Sequence, residues 1–529
     1  MRRFFKRCLG LISFMLFGAT AAHALDAPER PLPYVPPDYI RKPPAIPEHL
    51  SRRNPRQMAI SEAVETVLRN NLGLVLERER VHAADFARTS TLSIFEPTLQ
   101  LSAGHTSSGN PPATAQEGQA GQILRSRNDF WNLRIAERLP TGTSLSLDFT
   151  NTRAESSLGN AVAPLLYRSS LSVSLVQPLL RDFSFDARIQ LAPILRAEFD
   201  SESARETARL RAMATVKQTE DAYWSLVESW KALEVNRIAQ ELAENQLELT
   251  RRQIAAGVLP ESDIISVEGT LAQRQVGVVT AEAQIESAAD TLRQLLNLPP
   301  GEWDQPLVPL DAPSFSRIEI TLAAGLERAM QSRPELKQAQ LDLSRVRLDL
   351  EVAKNQRLPR LNLQSNLGTV GQDEDYRHAL DQVGNRSGWQ WTTGVDFAWA
   401  PLGIGARADV SRLQAVLRQS GLGREQLLVD IRAQLRAAMR DLDTAERQLY
   451  ALAKSRDLAE RSLDVEQRRF LNGLSNNFMV AQRQADLAQA RLGELRALIQ
   501  HEKAGSALQL AMGELLEARR LHFEVKAGS

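Results

Sequence analysis

The chain has 529 residues, with Lys+Arg 64 against Asp+Glu 64, so its formal net charge is zero. That balance argues against nucleic acid as a partner, which would want a basic face. Aromatic residues are only 5%, and Ala, Leu, Gln, Glu and Arg dominate, a composition of long helices rather than of a compact enzyme core.

The N-terminus carries Arg2, Arg3, Lys6 and Arg7, then an apolar run over 9–22, then Ala22-His23-Ala24. This is the pattern of a secretory signal peptide, residues 1–24, cut after Ala24. The run is shorter than the roughly 20 residues that span a bilayer. The only cysteine, Cys8, lies inside it and precedes the apolar run, so no lipid anchor, disulfide, Cys metal site or Cys nucleophile is expected in the mature chain. No later segment has 18 apolar residues in a row, so a membrane crossing would have to be made by strands in a closed barrel.

Residues 25–56 are Pro-rich (Pro28, Pro31, Pro33, Pro36, Pro37, Pro43, Pro44, Pro47), which favours an extended path along a surface, or a tether. Met58–Thr89 reads as one helix, with Ile60, Val64, Val67, Leu68, Leu74 and Val75 on its apolar face and Ser61 as a cap. Four strand candidates follow, all alternating apolar and polar residues: Phe95 to Ala103, Trp131 to Ala136, Ser144 to Phe149, and Leu171 up to Pro178. A helical pattern then runs from 186 to 256, at about 1.5 Å per residue roughly 100 Å, with Pro193 as either a kink or the true start. Gly257 stops this helix, and Pro260 with Glu261 and Asp263 starts the next after Val258 and Leu259, so the two run antiparallel. The return helix ends at Asn297, before Pro299-Pro300-Gly301.

The second half repeats the first. PTLQL at 97–101 matches PRLNL at 359–363, an offset of 359 − 97 = 262. Pro401 matches Pro178 (401 − 178 = 223), and Gly473 matches Gly257 (473 − 257 = 216). The drop of 262 − 223 = 39 residues places an extra hairpin in the first half, around Pro140–Gly142. Leu336, Ala339, Leu343, Val346, Leu350 and Ala353 step 3, 4, 3, 4, 3, which is a coiled-coil seam. Trp389, Trp391 and Trp399 line one side of the last strand, and with Trp131 they read as membrane-facing aromatics.

The domain boundaries are the signal at 1–24, the Pro-rich extension at 25–56, repeat 1 at 57–299, a connector at 300–317, repeat 2 at 318–513 and a tail at 514–529. Within the repeats, strands occupy about 95–178 and 361–400 and helical hairpins about 186–297 and 406–513. Hairpins this long cannot bury narrow seams alone, and a few strands cannot close a barrel alone. Both features require several copies. The fold class is therefore an α+β membrane protein with a duplicated helix–strands–long helix–turn–helix repeat, in which an oligomeric β-barrel continues into a long α-helical barrel.

The duplicated bends (RRQIAAGVLPESDII at 251–265, QRRFLNGLSNNFMVAQ at 467–482), the Pro-terminated strands (LVQPLLRD at 175–182, AWAPLGIG at 398–405) and the helix ends LLNLPP and LAMGEL together resemble the TolC-like outer-membrane efflux protein family. The resemblance covers about 57–513 and is carried by the duplicated order rather than by any one motif. It implies a homotrimer in the outer membrane that acts as a passive exit duct, without enzymatic activity or cofactor, working with a periplasmic adaptor (membrane fusion) protein and an inner-membrane transporter. It makes the bends, at Gly257, Val258, Leu259, Gly473, Leu474 and Ser475, the periplasmic tip that meets the adaptor. Some members close the tip with acidic residues six and nine positions after the second tip glycine. Here those places hold Met479 and Gln482, and Asp263 holds the six-position place in the first repeat only. Asp263 also reads as a first-turn acid that complements the helix dipole. Family barrels commonly take two strands per half, so the extra hairpin either joins the barrel or lies outside it. The competing reading is a periplasmic coiled-coil scaffold or adaptor without a membrane barrel. The seven His show no i, i+4 pair and no catalytic or nucleotide motif occurs, so neither metal nor enzyme chemistry is expected.

Overall fold

The computed structural model describes residues 34–44, 54–111, 123–156, 163–257, 259–521 and 523. The expected signal peptide, most of the Pro-rich extension and Val258 lie outside the described residues. In chain order the elements are α1 (Asp38–Arg41), β1 (Arg56–Met58), α2 (Ile60–Asn70), α3 (Leu72–Thr91), β2 (Thr98–Asn110), β3 (Leu124–Arg138), β4 (Ser144–Ser156), β5 (Leu165–Pro178), α4 (Ala192–Ala255) and α5 (Ser262–Leu296). The second half follows with β6 (Leu307–Pro309), α6 (Leu322–Ser332), α7 (Pro334–Gln356), β7 (Arg360–Asp373), α8 (Tyr376–Gly384), β8 (Trp389–Ala398), α9 (Ile404–Leu471), α10 (Asn477–Met512) and α11 (Leu515–Ala518).

The leading helix, read from the sequence as one piece, breaks at Asn71. Asn71 takes an extended backbone (φ −62, ψ 120), and its side chain accepts a bond from the Leu74 amide at 3.3 Å, the local competition that makes Asn a capping residue. Ser61 does not cap the first piece. The Ile60 amide instead donates to Asp311 Oδ2 at 2.6 Å. The second repeat breaks at the equivalent Arg333 (71 + 262 = 333), with φ −74 and ψ 121, ahead of Pro334. Each break residue also ties down its own return helix. Asn71 Nδ2 donates to Leu295 O at 2.9 Å, and Arg333 Nε donates to Ala511 O at 2.9 Å, where 295 + 216 = 511. Both return helices end in a left-handed residue, Asn297 (φ 49) and Gly513 (φ 78). The duplication is thus carried in equivalent hydrogen bonds as well as in sequence.

Pro193 lies in the first turn of α4, so it marks the true start, as a residue without an amide donor should. The 64 residues of α4 and 68 of α9 span about 96 Å and about 102 Å at 1.5 Å per residue. No helix among the described residues is long and apolar enough to cross a membrane. The main apolar core lies where α2, α4, α5 and α10 meet the connector, around Val67, Tyr223, Trp230, Leu292, Leu307 and Leu498. There the short strands β1 and β6, not foreseen from sequence, pair in parallel, and Trp230 Nε1 donates to Leu307 O at 2.9 Å.

Among the described residues, the six long strands form one antiparallel sheet in the order β2-β3-β4-β5-β7-β8. The extra first-half hairpin is therefore part of the sheet. The strands run well beyond their sequence-predicted cores, because their outer ends are polar and carry no alternation signal. The helix α8 was also missed. Asp375 caps it, accepting from Arg377 N at 2.7 Å, and it packs so closely on Gly371 that a Cβ there would sit 1.9 Å from Ala379 O.

Candidate functional site

Side chains of directly opposed residues in an antiparallel sheet share a face. One row reads Leu101–Leu133–Phe149–Leu171–Thr369–Trp389 and the next Leu99–Ile135–Leu147–Val173–Leu367–Trp391. The interleaved row on the other face reads Gln100–Arg134–Asp148–Ser172–Gly368–Gln390. The sheet is thus apolar on one side and polar on the other across all its strands. The apolar side is open. Leu101 is 74% exposed, Trp389 72%, Trp391 64%, and Trp399, just past the last strand, 60%. Trp389 and Trp399 lie ten residues apart, about 33 Å along a strand and about 25 Å vertically at a tilt near 40°, the height of an outer-membrane apolar band. Near the helix end of the sheet, Phe185, Phe397, Leu402 and Ile404 are exposed. Trp131 points to the same face but is half-buried. Its Nε1 donates to Tyr376 Oη at 3.3 Å, with ring centroids 5.3 Å apart, because α8 covers the row above the apolar band.

Among the described residues, two lateral edges are left without partners. Beneath the sheet, α4 packs against α3 and α7, and α7 against α9; nearer the bends, α4 packs against α5 and α10, and α10 against α9. One edge therefore holds β2, α3 and α5, and the other holds β8 and α9. On α5, Ile265, Gly269, Ala272, Val276, Val279 and Ala283 form an exposed seam stepping 4, 3, 4, 3, 4. On α9, Ala451, Ser455, Leu458, Ser462 and Val465 step 4, 3, 4, 3 and are exposed apart from half-buried Ser462. The seams lie at equal distances from the bends. Ile265, Ala272 and Val279 lie 8, 15 and 22 residues after Gly257, and Val465, Leu458 and Ala451 lie 8, 15 and 22 before Gly473.

The bends share one geometry. Gly257 and Gly473 both have φ 73, a left-handed conformation in which a side chain would be strained. Both are exposed, and Leu474 is 69% exposed beside Phe478 at 65%. Leu259 is half-buried. Ser475 donates to Glu466, tying the second bend to α9. Asp263 sits in the first turn of α5. The Met479 amide donates to Asn476 Oδ1 at 3.0 Å, and Gln482 Nε2 donates to Asp486 Oδ1 at 3.1 Å. Sequence reading missed Asn477, which pins the hairpins together. Its Oδ1 accepts from Gln246 Nε2 at 2.5 Å and Thr250 Oγ1 at 3.2 Å, both on α4 and all three residues buried.

A second unforeseen cluster lies higher up. The described part of the Pro-rich extension runs over the helices of its own chain. Tyr34 and Tyr39 donate to Glu494 at 2.8 Å and 2.7 Å, and Arg456 Nε lies 3.1 Å from that carboxylate, which is fully buried on α10. Lys231 of α4 donates to Tyr39 O at 2.6 Å. Burial, reinforced by the Glu494 charge, pushes both phenols far up, so they remain donors. Nearby His501 is 2% exposed, has neither ring nitrogen partnered among the described residues, and lies 4.9 Å from the Phe315 ring. Burial holds its pKa below the usual value. Among the described residues no cluster of His, Cys, Asp or Glu could hold a metal.

The outer-membrane channel OprN superposes with a TM-score of 0.63 at 18% identity, covering 91% of this chain and 98% of that one. This chain has the TolC-like outer-membrane channel fold. Its residues 325–514 match the model of the outer membrane efflux protein family, so the TolC-like resemblance read from the duplicated bends holds. Nodulation protein T of Rhizobium leguminosarum bv. trifolii is 23% identical over 50% of this chain and 56% of its own length. The pyoverdine export outer membrane protein OpmQ of Pseudomonas aeruginosa is 24% identical over 59% of this chain and 63% of its own. The chain thus spans between half and two thirds of the length of these relatives.

Proposed function

We propose that this protein is a passive exit duct of the outer membrane, built by three copies of the chain and extending into the periplasm. The two-faced sheet carries this reading: it is apolar outside, polar inside and unpaired at both edges. Backbone groups on open edges cannot remain unpaired in lipid, so β2 of one copy pairs with β8 of the next. The seams on α5 and α9 meet in the same step, a head-to-tail contact that makes a ring when the rotation from copy to copy closes. The aromatic band seats the sheet in lipid through Trp389, Trp391 and Trp399, with Trp131 beneath α8. The helices beneath make a tunnel about 100 Å long, which reaches across much of the periplasm.

In this arrangement the exposed bends, with Gly257, Leu259, Gly473, Leu474 and Ser475, form the tip that meets a periplasmic adaptor protein, and an inner-membrane transporter supplies the energy. In sequence Val258 lies between Gly257 and Leu259. Exposed Leu474 and Phe478 supply the apolar contact surface. Asp263, Met479 and Gln482 lie within the first turns after the bends and line the tip opening. The relative named for pyoverdine export supports a transport role.

The experiment is cell fractionation with the full-length chain. A duct appears in the outer-membrane fraction as an oligomer and is extracted only by detergent. Release into the soluble periplasm without detergent refutes this reading in favour of a periplasmic scaffold.

A further inference from the structure

We infer that the outer-membrane opening of this protein is an eighteen-stranded pore as wide as the helical tunnel beneath it, sized for hydrophilic cargo up to about 20 Å across. This rests on the three-copy reading and adds the bore and the cargo class.

The inference follows from the strand count. Each chain contributes six strands to one unbroken sheet, so three copies give 6 × 3 = 18. At about 4.8 Å between strands and a tilt near 40°, eighteen strands make a circumference of about 113 Å and a backbone diameter of about 36 Å. At each level of the tunnel a chain supplies four helices, α3, α4, α7 and α9 above or α5, α4, α10 and α9 below, hence twelve in the ring. Twelve helices at 8–10 Å spacing give a diameter of about 31–38 Å. The two rings match. Barrels of 16–18 strands leave an aqueous channel.

The lining fits soluble cargo. The polar face carries Gln100, Ser102, Asn132, Thr150, Ser172 and Asn366. Two of its charge pairs neutralise each other, with Arg134 3.5 Å from Asp148 and Arg360 3.1 Å from Asp396. Allowing about 5 Å of side chain on each wall leaves a bore near 25 Å, so size selection falls to the periplasmic tip rather than to the membrane segment.

The test uses Gln100→Cys, on the polar face near the helix end of the sheet, in a protein whose only natural cysteine is Cys8. Whole cells are exposed to a small maleimide and to a polyethylene-glycol maleimide of about 10 Å hydrodynamic radius. Both should react. Reaction with the small reagent alone in the full chain overturns the wide pore while leaving the duct intact. Reaction with neither overturns both. Single-particle averaging of the detergent-extracted oligomer gives an independent count. Eighteen strands support the inference, and twelve, or a hairpin folded out of the wall, refute it.

Discussion

Tyr39→Phe tests how the N-terminal strap is held. Tyr39 gives Glu494 one of its two phenol hydrogen bonds, at 2.7 Å, and that carboxylate has no solvent to fall back on. Removing a hydrogen bond to a charged group costs about 1.5–3 kcal/mol, and the retained contacts from Tyr34 and Arg456 favour the lower half of that range. The ring itself is kept, so its stacking beneath Arg491 at 5.6 Å survives. A loss of about 2 kcal/mol raises the open population of the strap about 30-fold. The amides of Ile40 and Arg41, which donate to Pro37 O at 3.0 and 3.2 Å, should therefore exchange with deuterium about 10- to 100-fold faster. Tyr34→Phe should act similarly, and the double variant should exceed additivity, because each phenol cushions the loss of the other at one buried carboxylate. Val35→Ala, at a side chain 66% exposed, should leave exchange unchanged. Unchanged protection in Tyr39→Phe would refute the claim that Glu494 anchors the strap.

Asn477→Ala leaves Gln246 and Thr250 without their acceptor and should cost about 1–3 kcal/mol, seen as faster amide exchange at both bends. His501→Leu should flatten the acid limb of stability. The folded His501 resists protonation, so its penalty is absent above the unfolded value near 6.5 and grows as pH falls below it, by at most about 1.4 kcal/mol per pH unit. Melting temperatures of wild type and variant should diverge at pH 5 relative to 7.5, and parallel curves would contradict this. Val395→Arg, midway between Trp389 and Trp399 on the apolar face, should cost about 2–4 kcal/mol and lower outer-membrane assembly, whereas Thr392→Arg on the polar face should be tolerated. Equal defects in both would contradict the assignment of faces.

The duplication, both bends, the long helices and the strand faces were legible because each leaves a periodic or positional signature: glycine at a left-handed turn, apolar steps of 3 and 4, or alternation by 2. Features set by tertiary contact were not. Asn71 looks like an ordinary helical residue until its side chain is seen capping Leu74 and reaching Leu295. The helix α8 is amphipathic but only nine residues long, too short to show a repeated helical period in a polar loop. The Glu494 cluster joins residues up to 460 positions apart, and no local pattern announces it. Asn477 lies four residues after the bend glycine Gly473, but its partners Gln246 and Thr250 belong to the other hairpin.

The ring of copies is tested most directly by joining α5 of one chain to α9 of the next. Val279→Cys and Ala451→Cys, each 22 residues from its bend, should cross-link under oxidation or with a short bis-maleimide into a covalent trimer on a denaturing gel. Each single variant should stay monomeric there. A double variant that stays monomeric, or that links only within its own chain, would contradict the shared tube.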